Sequence, residues 1–157
     1  MLTAQFIKEK ALEYGADLVG IGDIRHFEGT HPQRDPRSIL PDATCVIGFG
    51  FRVPRTLYRV MESKVQFFNY TQLGVKLIDE ELSEVFLLKM GALIENEGYD
   101  ACLQRNVSNL KIKGDHTTNP ELVDTYELEH VEAVAPGKPL PDIIMDFAEA
   151  ARICGLA

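Results

Sequence analysis

The sequence predicts an α/β fold: a layered sandwich with a small mixed sheet flanked by helices, including one long helix near 70–97. Two short apolar runs, residues 17–22 and 43–51, are bounded by glycine or proline and are typical of buried strands. A long apolar stripe at helical spacing follows them. The order helix–strand–loop–strand–long helix–strand therefore favours helices packed in layers on a sheet.

The opening segment is predicted to be a helix. Thr3 can cap its N-terminus, and Leu2 and Ile7 stand where a hydrophobic staple would close. Gly15 suits the left-handed position that ends many helices. The first strand, Asp17-Leu-Val-Gly-Ile-Gly22, then follows within two residues.

A proline-rich loop over residues 23–42 is expected to separate the two strands. The second strand, residues 43–51, is apolar throughout, which indicates burial on both faces. Residues 52–68 are ambiguous, because Pro54 interrupts the strand while the segment around Tyr58 is compatible with a turn of helix.

The long helix is the clearest element of the pattern. Asn69 and Gln72 stand at capping-box spacing, and Gly98 ends the helix. Its apolar stripe comprises Ile78, Leu82, Val85, Phe86, Leu93 and Ile94. Tyr99–Leu103 is predicted as a third strand, joined to the second by a right-handed crossover through this helix.

The remaining residues divide into four predicted segments. Residues 104–118 are polar and are expected on the surface, and residues 119–130 are compatible with either helix or strand. A proline-rich connector over residues 136–141 leads to a last helix, which Asp142 caps and Gly155 ends. The whole chain, residues 1–157, is predicted to form a single α/β domain.

Composition excludes several classes of protein. The 157 residues carry a formal net charge of −8 and no basic run, so neither nucleic acid nor an anionic membrane is an expected partner. The first residues lack the apolar core of a signal peptide, and no stretch is apolar enough to span a membrane. Three widely spaced cysteines without a CxxC pair predict neither zinc nor an iron–sulfur cluster within this chain. A reducing, cytoplasmic location is expected.

Two sets of residues are candidates for ligand binding. Arg34, Arg37 and Arg52 lie beside predicted strand ends, where guanidinium groups bind phosphate or carboxylate, although pairing with surface carboxylates is the alternative. Tyr70 belongs to an aromatic group before the long helix, which either packs in the core or forms a flat wall for a ring cofactor. The other members of this group are Tyr58, Phe67 and Phe68.

The paired glycines of the two strands suggest a dinucleotide fingerprint but do not complete one. Gly20-Ile-Gly22 and Gly48-Phe-Gly50 each lack the third glycine, and neither leads directly into a helix. Close packing of a helix on the strands is therefore the preferred interpretation. The four histidines likewise show no metal-ligand spacing.

Four segments, taken in order, resemble the N-terminal half of epoxyqueuosine reductase-like and reductive-dehalogenase-like iron–sulfur proteins. They are residues 11–21, 34–47, 97–101 and 148–157, the last reading AEAARICGLA. The resemblance implies a corrinoid-binding α/β region, similar to nitroreductase-like cobalamin chaperones, which a ferredoxin-like part normally follows. The family continues past Gly-Leu-Gly, whereas this sequence stops at Gly155-Leu-Ala157. The resemblance therefore implies a fragment or a standalone half, and Asp124 is too far from this end to take the family's proton-donor role.

Three functional hypotheses follow. The first is a cytoplasmic cofactor-binding domain, related to these reductases but inactive alone, that holds a corrinoid or another flat cofactor near Arg34, Arg37, Arg52 and Tyr70. A separate iron–sulfur domain or protein would supply its electrons. The second is a non-enzymatic module that forms a homodimer or docks on a redox partner through the long helix and an open sheet edge. The third is a small-molecule sensor without redox chemistry.

Overall fold

The computed structural model describes residues 2–30, 35–105 and 147–156 and shows a mixed α/β fold, as predicted. Two strands and four helices make up this part of the chain. In order they are α1 (Ala4–Tyr14), β1 (Leu18–Asp23), β2 (Cys45–Gly50), α2 (Arg55–Glu62), the long helix α3 (residues 67–96) and α4 (Phe147–Ile153). None of these helices is both long and apolar enough to cross a membrane.

Helix α1 begins and ends at the residues that the sequence indicates. The Thr3 hydroxyl accepts a hydrogen bond from the backbone N–H of Phe6 at 3.1 Å. Gly15 adopts a φ of 110°, which an L side chain rarely tolerates, and its N–H bonds back to the last turn. The cap and the glycine therefore set the length of this helix.

Strands β1 and β2 pair antiparallel, from Leu18 opposite Gly50 to Asp23 opposite Cys45. The predicted third strand at Tyr99–Leu103 is wrong, because these residues are irregular and the described sheet has two strands. The side chain of Leu103 packs against Gly91 of α3 instead. The predicted crossover is therefore absent from the part of the chain that the structure describes.

One face of the sheet packs against α1 and α3. Ile7 and Ala11 of α1 and Phe86 and Met90 of α3 are buried there. Phe86 receives two aromatic rings edge-on from the sheet, those of Phe49 and Phe51, at centroid distances of 4.8 and 5.1 Å. This cluster fixes the second half of α3 over the sheet.

The opposite face of the sheet is rich in glycine and receives α4, with Val46 as a buried side chain among the glycines. Gly20 and Gly48 are directly opposite each other, and Gly22 points to the same side. A Cβ atom added to Gly22 would lie 2.6 Å from Ile153, and one added to Gly48 would lie 2.8 Å from Leu156. The glycines therefore serve close packing of strand and helix, as the sequence favoured.

Helix α3 changes its winding along its length. Its first residues, Phe67–Asn69, are α-helical, Tyr70–Leu82 has π-helical hydrogen bonds, and Ser83–Asn96 returns to the α form. The helix begins before the predicted capping box, and Asn69 makes no cap. Gly98, with a φ of 86°, follows its end. The predicted long helix is confirmed, but its π segment was not foreseen.

Several predictions fall outside the described residues. These are Arg34, most of the polar segment 104–118, the undecided segment 119–130, Asp124, the connector 136–141 and the cap at Asp142. The last helix is confirmed over Phe147–Ile153, and Gly155 follows it with a φ of 72°. The ambiguous stretch after Pro54 forms α2.

Candidate functional site

A cleft of about 320 Å³ lies between the end of β2 and the π-helical segment of α3. Aromatic and aliphatic side chains form most of its wall, and two polar residues complete it. The lining residues are Phe49, Phe51, Val53, Tyr70, Gly74, Val75, Ile78, Asp79 and Ser83. An apolar concave surface with a few polar groups is the usual form of a small-molecule site.

The π winding explains why α3 presents one row of residues to this cleft. Tyr70, Gly74, Asp79 and Ser83 follow one another at steps of four, five and four residues. A π-helix bonds residue i to residue i+5, so its repeat falls between four and five residues per turn. Residues at these steps therefore share one side of the helix, and π turns are frequent at functional sites.

Gly74 leaves the space into which the Tyr70 ring fits. It is the one buried residue of the π segment. A Cβ atom at this position would lie 3.3 Å from the Tyr70 ring and 3.6 Å from Val53. The absent side chain therefore lets the ring lie against the helix and keeps the cleft open beside it.

Ser83 closes the end of the π segment. Its backbone N–H donates to the carbonyl oxygen of Ile78, five residues earlier, and its hydroxyl donates to the carbonyl oxygen of Asp79. A return from i→i+5 to i→i+4 bonding leaves one carbonyl without an amide partner. The Ser83 hydroxyl donates to the Asp79 carbonyl at this return, at the cleft wall.

The Asp79 side chain supplies the charged group of the cleft. It is half-buried and forms no ion pair within residues 2–30, 35–105 and 147–156. A carboxylate in this position accepts hydrogen bonds from a ligand's amide, amine or hydroxyl groups. The apolar walls thus suit a ring, while Asp79 suits a donor on the edge of that ring.

The predicted binding residues occupy different parts of the fold. Tyr70 lines the cleft. Arg52 stands in the sequence between two lining residues, Phe51 and Val53, at the end of the hairpin where Leu18 pairs with Gly50. The backbone N–H of Arg52 donates to Asp17 at 2.8 Å, and its side chain is exposed. Arg37 belongs to the loop at the opposite, Asp23–Cys45 end, one strand length of roughly 20 Å away. Arg34 lies outside the described residues.

Arg37 is engaged by a neighbouring carboxylate. Its guanidinium donates to both oxygens of Asp35, from Nε to Oδ1 at 2.9 Å and from Nη2 to Oδ2 at 2.6 Å. These hydrogen bonds lower the pKa of Asp35 and raise that of Arg37. The alternative of pairing with a carboxylate, weighed above, is the one that Arg37 adopts.

The cysteines do not gather into a site. Cys45 and Cys102 are exposed and Cys154 is buried, where its thiol donates to the carbonyl oxygen of Val46 at 3.4 Å. Burial raises the pKa of the Cys154 thiol, which disfavours the reactive thiolate. In the part of the chain that the structure describes, no three metal-ligating side chains come together.

Sequence reasoning missed most of the cleft wall. The sequence places Phe49 and Phe51 in a buried strand and singles out no residue of the π segment after Tyr70 as a ligand-binding residue. The alternation of Phe49 and Phe51 at the end of β2 was the available signal, because it places both rings on one face. No sequence pattern indicated Ser83, since its position depends on the π winding.

Comparison with protein-family models, with curated protein sequences and with solved structures finds no match to this chain. A ligand for the cleft can therefore be proposed only from the geometry and chemistry of the cleft itself.

Proposed function

We propose that this chain is a cofactor-binding domain whose aromatic cleft holds a flat ring. The observation that carries the proposal is the arrangement of Phe49, Phe51 and Tyr70 around one cleft, with Gly74 leaving room beside them. Aromatic faces and edges bind a ring by dispersion and stacking, and burial of its apolar surface drives the association. The resemblance noted above names a corrinoid as the cofactor.

The size of the cleft limits how such a ring is bound. Small-molecule sites span about 300–1,000 Å³, so a volume of about 320 Å³ is at the lower limit. A small flat ring would fit within it, whereas a corrinoid would insert one edge and leave the rest outside. Asp79 would accept a hydrogen bond from an amide group on the inserted edge.

The proposal assigns no reduction to the isolated chain. The three cysteines are too widely spaced in the sequence to ligate a cluster by a known motif. In this proposal a separate iron–sulfur domain or protein delivers electrons to the bound cofactor, and the chain supplies binding and orientation.

Visible absorption during titration with hydroxocobalamin, followed by gel filtration, tests the proposal. Val75, a half-exposed cleft residue, is replaced with Trp to fill the cleft, and the matched control is Val85→Trp on the same helix but outside the cleft. We expect a spectral shift and co-elution for the wild type and for Val85→Trp, with at least about tenfold weaker binding for Val75→Trp. If neither hydroxocobalamin nor a flavin shows a change in its visible spectrum on addition of the protein, the proposal is refuted.

The alternative, a homodimerisation module, is favoured by a row of exposed apolar side chains on α3. Leu73, Leu77 and Leu82 are each nearly half exposed and recur at the π spacing of four and five residues. Such a row can pack against its symmetry mate in an isologous interface. Sedimentation equilibrium tests this alternative: a dimer would become a monomer in Leu77→Lys, whereas a monomeric wild type would exclude it.

A further inference from the structure

Helix α2 and the start of α3 form an arm that stands apart from the core. None of the residues from 52 to 73 is buried. At the tip of the arm, Val65, Phe67 and Phe68 are 74%, 61% and 70% exposed. An aromatic side chain carries about 150–250 Å² of surface, so these two phenylalanines alone expose roughly 250 Å². With Val65 the tip approaches the size of the apolar patches, roughly 300–600 Å², that are often functional on a monomer.

The arm is basic although the chain is acidic, so the net charge that argued against an anionic membrane does not describe this part of the surface. Residues 52–68 contain one acidic side chain, Glu62, and four basic ones, in a chain of net charge −8. The basic residues are Arg52, Arg55, Arg59 and Lys64, and all four are exposed. Considering the described residues alone, none of the four forms an ion pair. Charge complementarity therefore directs this arm toward an anionic surface.

Lys64 occupies a backbone conformation that glycine would adopt more easily. Its φ is 58°, and its N–H donates to the carbonyl oxygen of Met61 at 2.9 Å, which ends α2. A left-handed residue after a helix is usually glycine, because other side chains are strained there. This chain instead has a lysine at the left-handed position, which brings its ammonium group beside Val65. Backbone strain at such a position is often retained where function requires the side chain.

We propose that this arm docks on an anionic membrane surface. Val65, Phe67 and Phe68 would enter the boundary between headgroups and acyl chains, while the basic side chains contact lipid phosphates and carboxylates. A protruding apolar tip suits a bilayer, since nucleic acid would leave it in water. A second copy docked tip to tip would oppose like charges. Val65, Phe67 and Phe68 at the tip of the arm do not line the cofactor cleft, so each proposal can fail without the other.

Co-sedimentation of the full chain with lipid vesicles tests the proposal. The vesicles contain phosphatidylcholine, with or without about one third phosphatidylserine, at about 0.15 M salt. We expect binding to the anionic vesicles, release at about 1 M salt and little binding to phosphatidylcholine alone. Equal binding to both compositions would overturn the proposal, and so would binding to a nucleic-acid duplex without binding to vesicles.

Three variants separate the tip from general stickiness. Phe68→Ser should weaken vesicle binding at least about fivefold, whereas Leu88→Ser, at an exposed site on the far part of α3, should leave it unchanged. Lys64→Gly removes the charge and the strain together, so it should bind about fivefold more weakly while unfolding at a higher temperature. Equal losses for Phe68→Ser and Leu88→Ser, in variants with wild-type circular dichroism, would overturn the proposal.

Discussion

The packing of α4 on the glycine face of the sheet predicts a large effect for a single methyl group. In Gly20→Ala the new Cβ would overlap the carbonyl oxygen of Cys154 and lie 2.9 Å from its carbonyl carbon. Because carbon atoms pack at about 3.5–4.0 Å, strand and helix must separate by at least about 0.6 Å. The obstacle is backbone, so no rotamer change can relieve the contact. The separation also loosens the buried contacts of Ala150 and Cys154.

Overpacking of this kind costs about 1–3 kcal/mol, and a backbone clash belongs to the upper half of that range. For a chain of this length, a loss of about 2–3 kcal/mol lowers the melting temperature by about 4–12 °C. Thermal and urea unfolding followed by circular dichroism measure the change.

Two further glycine variants serve as controls. Gly48→Ala meets the movable side chain of Leu156 and should cost less, and Gly50→Ala lies 3.3 Å from the Leu18 side chain and should cost least. Equal unfolding midpoints for Gly20→Ala and Gly50→Ala would refute the packing argument.

Three other predictions concern an ion pair, a thiol and a helix transition. The Asp35 side chain is 13% exposed, and its hydrogen bonds from Arg37 lower its pKa. The pair therefore stabilises the fold at pH values above the carboxyl pKa of the unfolded chain, about 3.9. This stabilisation is lost as the pH falls toward the lower pKa of the folded chain. Asp35→Asn should therefore cost about 1–2 kcal/mol at neutral pH and little in acid, and a constant difference across pH would contradict this. A thiol reagent should label the two exposed cysteines of the native protein at once and Cys154 on unfolding; prompt labelling of all three would contradict its burial. Ser83→Ala should cost about 1 kcal/mol in urea unfolding, because a carbonyl oxygen loses its donor; no change would show that water replaces the hydroxyl.

Local patterns sufficed for the parts of the fold that neighbouring residues determine. Thr3 and Gly15 define α1 because capping involves atoms a few residues apart. Gly20 and Gly48 indicated close packing because glycine in a strand has few other uses. Pairing across the sheet depends on distant residues, and no local pattern shows whether Tyr99–Leu103 has a partner strand.

The site was predicted only in part, because the positions of its residues depend on the topology of the sheet. An antiparallel hairpin sends the loop containing Arg37 and the residue Arg52 to opposite ends, whereas the prediction assumed strand ends that meet at one edge. Tyr70 was identified because aromatic residues at a helix start are conspicuous in any fold. Phe49 and Phe51, which face it across the cleft, belong to the predicted buried strand over residues 43–51, and that prediction placed them in the core.

The π segment explains together the missed cleft wall and the exposed leucines of α3. With α-helical spacing, Leu82 lies four residues after Ile78 and four before Phe86, so it should share their buried side. A π-helix turns through a smaller angle per residue than an α-helix, so each later residue lags behind the position around the helix axis that α winding would give it. Ser83 therefore takes the inward position in place of Leu82. Leu82 and Val85, both predicted in the apolar stripe, are consequently 45% and 54% exposed. One change in winding thus places a hydroxyl in the cleft and apolar side chains on the surface. The 13 residues of the π segment make about three turns, for which an α-helix needs about 11, so deleting two of them should restore α spacing, bury Leu82 and remove the polar end of the cleft.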